Sequence, residues 1–195
     1  MNPLKSVSGT IALGFIVALI VTLIFGTGAF SLWSTMTWLH VFAGVIWIGL
    51  LYYFNFIQTL AVAEAVSDEG GPGPAAINKY VAPRALLWFR WGALATWITG
   101  AAALEAGPFG GIVNAFTFGP GAQIIGLGAW LGTIMLFNVW VLIWPNQKKI
   151  LGIVEASAEE IAKGKVVALM ASRTNTFLSI PMLMCMIGQG HGLPF

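Results

Sequence analysis

The chain has 195 residues, of which 9 are Lys or Arg and 7 are Asp or Glu, while 58% are hydrophobic and the mean hydropathy is +0.86. A soluble domain of this length carries roughly 49 charged residues, so a water-soluble globule is excluded, and so is a disordered chain, which needs low hydrophobicity and high net charge. A net charge of +2, with no basic patch interleaved with stacking aromatics, excludes a nucleic-acid partner. An all-α integral membrane protein forming one domain over 1–195 remains.

A helix crossing the hydrocarbon core needs about 20 mostly apolar residues. In chain order such runs fall at 11–30, 36–57, 86–104 and 123–144, with a shorter fifth at 174–190 that contains Pro181 and begins with Thr174, Asn175, Thr176 and Ser179. Lys5 ahead of an apolar stretch ending in Gly26-Thr27-Gly28-Ala29 has the outline of a secretory signal. The stretch is longer than a usual signal core, so it is expected to remain as an uncleaved first span. The connection at 64–78 holds Ser67-Asp68-Glu69-Gly70-Gly71-Pro72-Gly73-Pro74 and reads as an exposed, mobile loop. The segment 150–172 mixes Glu155, Glu159, Glu160, Lys163 and Lys165 with Ile161, Val166 and Leu169 at helical spacing. It is expected to be an amphipathic helix on the cytoplasmic membrane surface. The segment 105–122 is Gly-, Pro- and Phe-rich and is expected to pack into the interface or against a partner.

No Lys or Arg falls in 31–35 or 105–122, whereas Lys5, Lys79, Arg84, Arg90, Lys148, Lys149, Lys163, Lys165 and Arg173 all fall on the other side of the predicted spans. The positive-inside rule then places the N-terminus inside and the C-terminus outside, with about five spans.

Ionisable groups inside a bilayer are costly and so point to function. The spans hold His40, and Arg90 near an inner end, but no Asp or Glu, a poor inventory for proton-coupled transport or acid–base catalysis. Asn55, Gln58, Gln123, Asn138 and Asn175 have the character of inter-helix glue. The single Cys185 lies between methionines and reads as a buried soft side chain. One cysteine forms no internal disulfide and no four-thiolate metal site. Trp33, Trp38, Trp88, Trp91 and Trp144 read as interface anchors. Gly92 with Thr96 and Gly100, and Gly128 with Gly132, read as helix contacts.

His40 lies about one turn inside the outer end of the second span, and His191 follows the fifth, so both face the outer side. His40, Gly44, Trp47 and Leu51 share one helical face. A b-type haem ligated by His40, with Gly44 letting a flat macrocycle approach and His191 as a possible second ligand, fits this pattern. So does a histidine that only hydrogen-bonds a neighbouring helix, with Gly44 as a packing glycine.

The stretches "WLHVFAGVIWIG" (38–49), "WFRW" and "TWITG" (88–91, 96–100), "GTIMLFNVWVLIWPNQKK" (132–149) and "NTFLSIPML" (175–183) resemble the membrane domain of the PuuD-type urate hydroxylases. These are bacterial integral-membrane urate oxidases that pass electrons to a fused cytochrome c. The Trp-Leu-His start of the second span is also similar to small haem-binding HemJ and copper-resistance membrane proteins. The resemblance implies a helical domain in the bacterial inner membrane and, in full-length enzymes, two-electron oxidation of urate to 5-hydroxyisourate. His40 falls on a family histidine and His191 one residue from another. Leu87, Gly92 and Thr174 stand where the family pattern has His, an acid and His. The chain is expected to be a shortened form lacking the cytochrome c part.

Three readings follow. The first is an accessory subunit of a respiratory or photosynthetic electron-transfer complex, without catalysis of its own, with bound lipids and other membrane subunits as partners. The second is a haem b relay through His40, exchanging electrons with quinone or an outer-side cytochrome c. The third is a urate hydroxylase served by a separate cytochrome c.

Overall fold

The computed structural model describes residues 2–26 and 28–194, and every regular element among them is helical. The chain forms two compact units, Met1–Ser31 and Leu32–Phe195, where one domain was expected.

The first unit holds α1, Val7–Phe25. It starts four residues before the predicted span because Ser6 caps it, its Oγ accepting from the Gly9 N–H at 3.1 Å. It stops at Gly26, and Thr27, within the predicted span, lies outside the described residues. No residue of α1 is buried.

In the second unit, α2 runs Leu32–Ser67 over 36 residues, α3 is Ala82–Ala106, α4 is the short Gly111–Phe116, α5 is Gln123–Ile150 and α6 is Ala158–His191. Helices α1, α2, α5 and α6 are long and apolar enough to cross a membrane. The third predicted span is present as the 25 residues of α3, but tryptophans and Arg90 lower its hydropathy, and it is not among those four. It lies antiparallel along α2 all the same. His40 meets Thr96, Gly92 meets Ile46 and Trp47, and Phe54 meets Phe89 edge to face with centroids 5.4 Å apart.

Two expectations need correction. The amphipathic helix at 150–172 and the span at 174–190 are one helix, α6. It begins at Ala158 with a capping box in which Ser157 Oγ accepts from the Glu160 N–H and Glu160 accepts from the Ser157 N–H. No helix breaker stands at 172–174, and Pro181 sits within the helix without ending it. At 1.5 Å per residue, the 34 residues of α6 outreach the hydrocarbon core, so its charged first turns lie beyond the apolar part. The loop at 64–78 is also shorter than expected. Helix α2 continues to Ser67, and helical turns resume before a wider π segment, Ile77–Val81, that leads into α3.

Two further π segments, Phe54–Gln58 in α2 and Asn138–Ile143 in α5, widen the turns around Asn55 and Asn138. The main core forms where four helices meet, with Trp47 and Leu51 of α2, Phe89 and Ala93 of α3, Met135 and Val139 of α5, and Met182 of α6 buried together. Small residues set the spacing. A methyl at Gly92 would stand 3.3 Å from Ile46 Cγ2, and one at Gly128 would stand 3.1 Å from Cys185 Cβ, so these glycines allow close helix approach. Gly132 meets nothing within 4 Å. A second cluster of Leu104, Ala115, Ala122 and Ala129 lies under the 105–122 segment. That segment is held by the protein itself. Glu105 accepts from the Ile112 N–H at 3.0 Å, Asn114 donates to the Phe109 carbonyl at 2.7 Å, and Trp130 donates to the Phe116 carbonyl at 3.0 Å.

Candidate functional site

His40 is half-buried on α2, and its Nδ1 lies 2.8 Å from the Thr96 carbonyl oxygen. A carbonyl only accepts, so Nδ1 carries the hydrogen, and in the neutral ring Nε2 is left with its lone pair. Gly100 makes room for this ring, because a methyl there would stand 2.7 Å from Nδ1 and 2.8 Å from Cε1. Thr96 is held in turn by its hydroxyl, which donates to the Gly92 carbonyl at 2.7 Å. An imidazole anchored through Nδ1–H to a backbone carbonyl, with Nε2 free, is the arrangement that orients a metal-ligating histidine. It is equally a complete inter-helix hydrogen bond.

Of the other two residues singled out with His40, Gly44 shares the neighbour Thr96 with it, whereas the hydrogen bond of His191 is to its own helix. Gly44 is half-buried, with the Thr96 methyl 3.8 Å from where a Cβ would stand, so it serves the α2–α3 contact. His191 is exposed at the end of α6, with Nδ1 3.2 Å from the Ile187 carbonyl of its own helix. Among the described residues no cluster of three or more His, Cys, Asp or Glu could hold a metal ion.

A second polar centre is deeper and better closed. Asn175, fully buried, accepts from Asn138 Nδ2 at 2.8 Å and donates to the Met135 carbonyl at 2.9 Å. Beside it Ser179, also fully buried, lies 2.9 Å from the Tyr52 hydroxyl and donates to the Thr176 carbonyl at 2.7 Å. Asn55 donates to the Leu51 carbonyl at 2.9 Å and to Ser172 Oγ at 2.8 Å. Helices α2, α5 and α6 are thus joined by a seam of amides and hydroxyls. Asn55, Asn138 and Asn175 act as the glue their composition suggested.

Tyr52, Ser172 and Gln189 were not singled out from the sequence. The polar residues of α6 at 172, 175, 176 and 179 follow an i, i+3, i+4, i+7 pattern, which marks one face and is the signal that could have found Ser172. Gln189 accepts from the Ile125 N–H at 3.0 Å and donates to the Gly121 carbonyl at 2.9 Å. It ties the end of α6 to the start of α5, and nothing local in the sequence points to that.

Trp33, Trp38, Trp88 and Trp91 all stand on the exterior, and Trp91 also meets Trp140 edge to face at 5.4 Å. With Leu94, Trp97, Thr133, Leu136 and Phe137 this pair lines a groove of about 580 Å³ between α3 and α5. Its walls are almost wholly apolar, since the Thr133 hydroxyl accepts from Trp97 Nε1 and donates to the Ala129 carbonyl.

Helical hairpins joined by buried amides, with outward faces of large apolar side chains, define an all-helical bundle of membrane-protein type. Residues 111–195 match the family described as Urate oxidase N-terminal, so α4, α5 and α6 form a urate-oxidase-related region covering less than half of the chain. Asn138, Asn175, Gln189 and His191 lie inside that region, as do the last two of the four resembling stretches, whereas His40 and Gly44 lie outside it. No curated protein and no solved structure matches the chain.

Proposed function

We propose that this protein is a multi-pass accessory subunit of a larger electron-transfer complex in the bacterial cytoplasmic membrane, built on a urate-hydroxylase-like scaffold of the PuuD type and without catalysis of its own. With α1, α2, α5 and α6 crossing and α3 running beside α2, the chain has five spans, N-terminus inside. The observation that supports a scaffold role is the closure of the Asn138–Asn175–Met135 centre. Both polar atoms of the Asn175 amide are bonded to protein atoms, so the most buried amide of the urate-oxidase-related region is engaged in joining helices. The apolar exterior and the tryptophan groove offer surface for neighbouring subunits and lipid.

Isolation from native membranes in mild detergent, through an affinity tag on this chain, tests the reading. A fixed set of redox-active membrane subunits is expected to co-purify in constant ratio. Recovery of this chain alone, as monomer or homo-oligomer, would overturn it.

One observation favours a second reading. The fixed Nδ1–H of His40 leaves Nε2 available, which fits a ligand to a b-type haem that would supply one-electron transfer toward an outer cytochrome c or quinone. Purified protein would then show a Soret band that His40→Ala abolishes. A colourless wild-type preparation from haem-replete cells sinks this alternative.

A further inference from the structure

The contacts between helices place four side chains at one depth. Phe54 packs on Phe89 at 5.4 Å, next to Asn55 and Arg90 in their helices. The Arg90 guanidinium lies 3.8 Å above the Trp144 ring of α5, and Asn55 bonds Ser172 at 2.8 Å, one residue before Arg173. This level carries two arginines and a tryptophan, the residue types that collect where hydrocarbon meets headgroups. The two arginines differ. Arg90 is stacked on Trp144, whereas Arg173 is exposed and has no ion pair or hydrogen bond among the described residues.

Arg173 lines a cleft of about 320 Å³ between α2 and α6, together with Asn55, Phe56, Thr176, Phe177 and Ile180. No acid lines it. Asn55 Nδ2 is occupied by Leu51 and Ser172, and the Thr176 hydroxyl donates to the Ser172 carbonyl at 3.1 Å. Arg173, with five N–H donors on a flexible stem, is therefore the group free to bind an anion. Along α6, residues 173, 177 and 180 form one stripe that climbs about 10 Å from the guanidinium to Ile180. Phe177 and Ile180, 70% and 66% exposed, lie above Arg173 along α6, and Phe56, 57% exposed, faces the cleft from α2 near the level of Ser172.

We infer that this cleft seats one anionic glycerophospholipid of the inner leaflet, its phosphodiester on Arg173 and an acyl chain along Phe177 and Ile180 against Phe56. Charge and polarity match: Arg173 is the only cation among the residues that line the cleft, and the exposed Phe177 and Ile180 extend from it toward the membrane centre. A zwitterionic lipid offers the same acyl chain but no net charge to the guanidinium.

The test is to reconstitute the full chain in an equal mixture of phosphatidylglycerol and phosphatidylcholine, repurify it in detergent and measure the retained lipids by mass spectrometry. Wild-type protein is expected to retain phosphatidylglycerol in excess, Arg173→Gln to lower that excess about fivefold, and Arg173→Lys to keep most of it. Lys165→Gln, on the same helix outside the cleft, should leave it unchanged. Equal retention of the two lipids by wild type, or an excess that survives Arg173→Gln, would overturn the proposal. Displacement of the lipid by inorganic phosphate alone would assign the site to a free anion and overturn it as well.

Discussion

The α2–α3 pair around His40 and the α5–α6 pair around Asn175 both use a polar side chain to hold two helices together, yet they leave different things behind. At Asn175 both polar atoms of the amide have a protein partner: Oδ1 accepts from Asn138 Nδ2, and Nδ2 donates to the Met135 carbonyl. At His40 one nitrogen is tied to Thr96 and the other has no hydrogen-bond partner among the described residues. A closed hydrogen bond between helices is structure, and a half-used imidazole is structure with one valence to spare. The urate-oxidase-related region contains the closed centre and not the open one.

Substituting each centre should expose the contrast. The largest effect is expected for Asn175→Leu. It leaves the Asn138 side-chain amide without its partner in a buried site and takes the side-chain donor from the Met135 carbonyl, and should cost about 2–3 kcal/mol, read from reversible unfolding in mixed micelles. A loss below 0.5 kcal/mol would mean that the amide pair contributes little, as some intramembrane hydrogen bonds do. Gly100→Ala comes next. Its methyl would collide with the His40 ring, and shifting the imidazole off Thr96 should cost about 1–2 kcal/mol. His40→Ala should largely remove that penalty, because the clash then has no partner. Non-additivity of the double variant is the diagnostic, and simple additivity would place the strain elsewhere. Glu160→Gln should do least. The ion pair with Lys149, at 3.2 Å, is between exposed groups, and glutamine keeps the capping box with Ser157. The thermal midpoint is expected to stay within error of wild type, and a clear drop would show that the charge itself anchors the start of α6.

Much of this molecule was legible in its sequence, because hydropathy over about 20 residues reports directly on the solvent a helix must meet. The helical class and a helix beneath every predicted span follow from that. The boundary between a surface helix and a fifth span did not. The residues at 172–174 are polar but favourable to helix, and whether Ser172 and Asn175 face lipid or partners depends on where Asn55 and Asn138 stand. The π segments were hidden for a related reason, since a widened turn depends on side-chain partners far away in the chain, and the periodicity of an all-apolar helix carries little trace of it. His40 was found because an ionisable residue stands out in a span. Its attachment to a backbone carbonyl of α3 could not be read, because Thr96 offers that group through its main chain. Gly44 drew attention for its spacing from His40, and the space beside it faces the Thr96 methyl.

In the scaffold reading the deep polar seam joins helices rather than turning over substrate. The most direct measurement is urate-dependent reduction of added cytochrome c by the purified protein in lipid, wild type beside Asn175→Leu. The scaffold reading predicts no reduction above the protein-free rate for either. Urate-dependent turnover in the wild type that Asn175→Leu abolishes while the fold persists would contradict it.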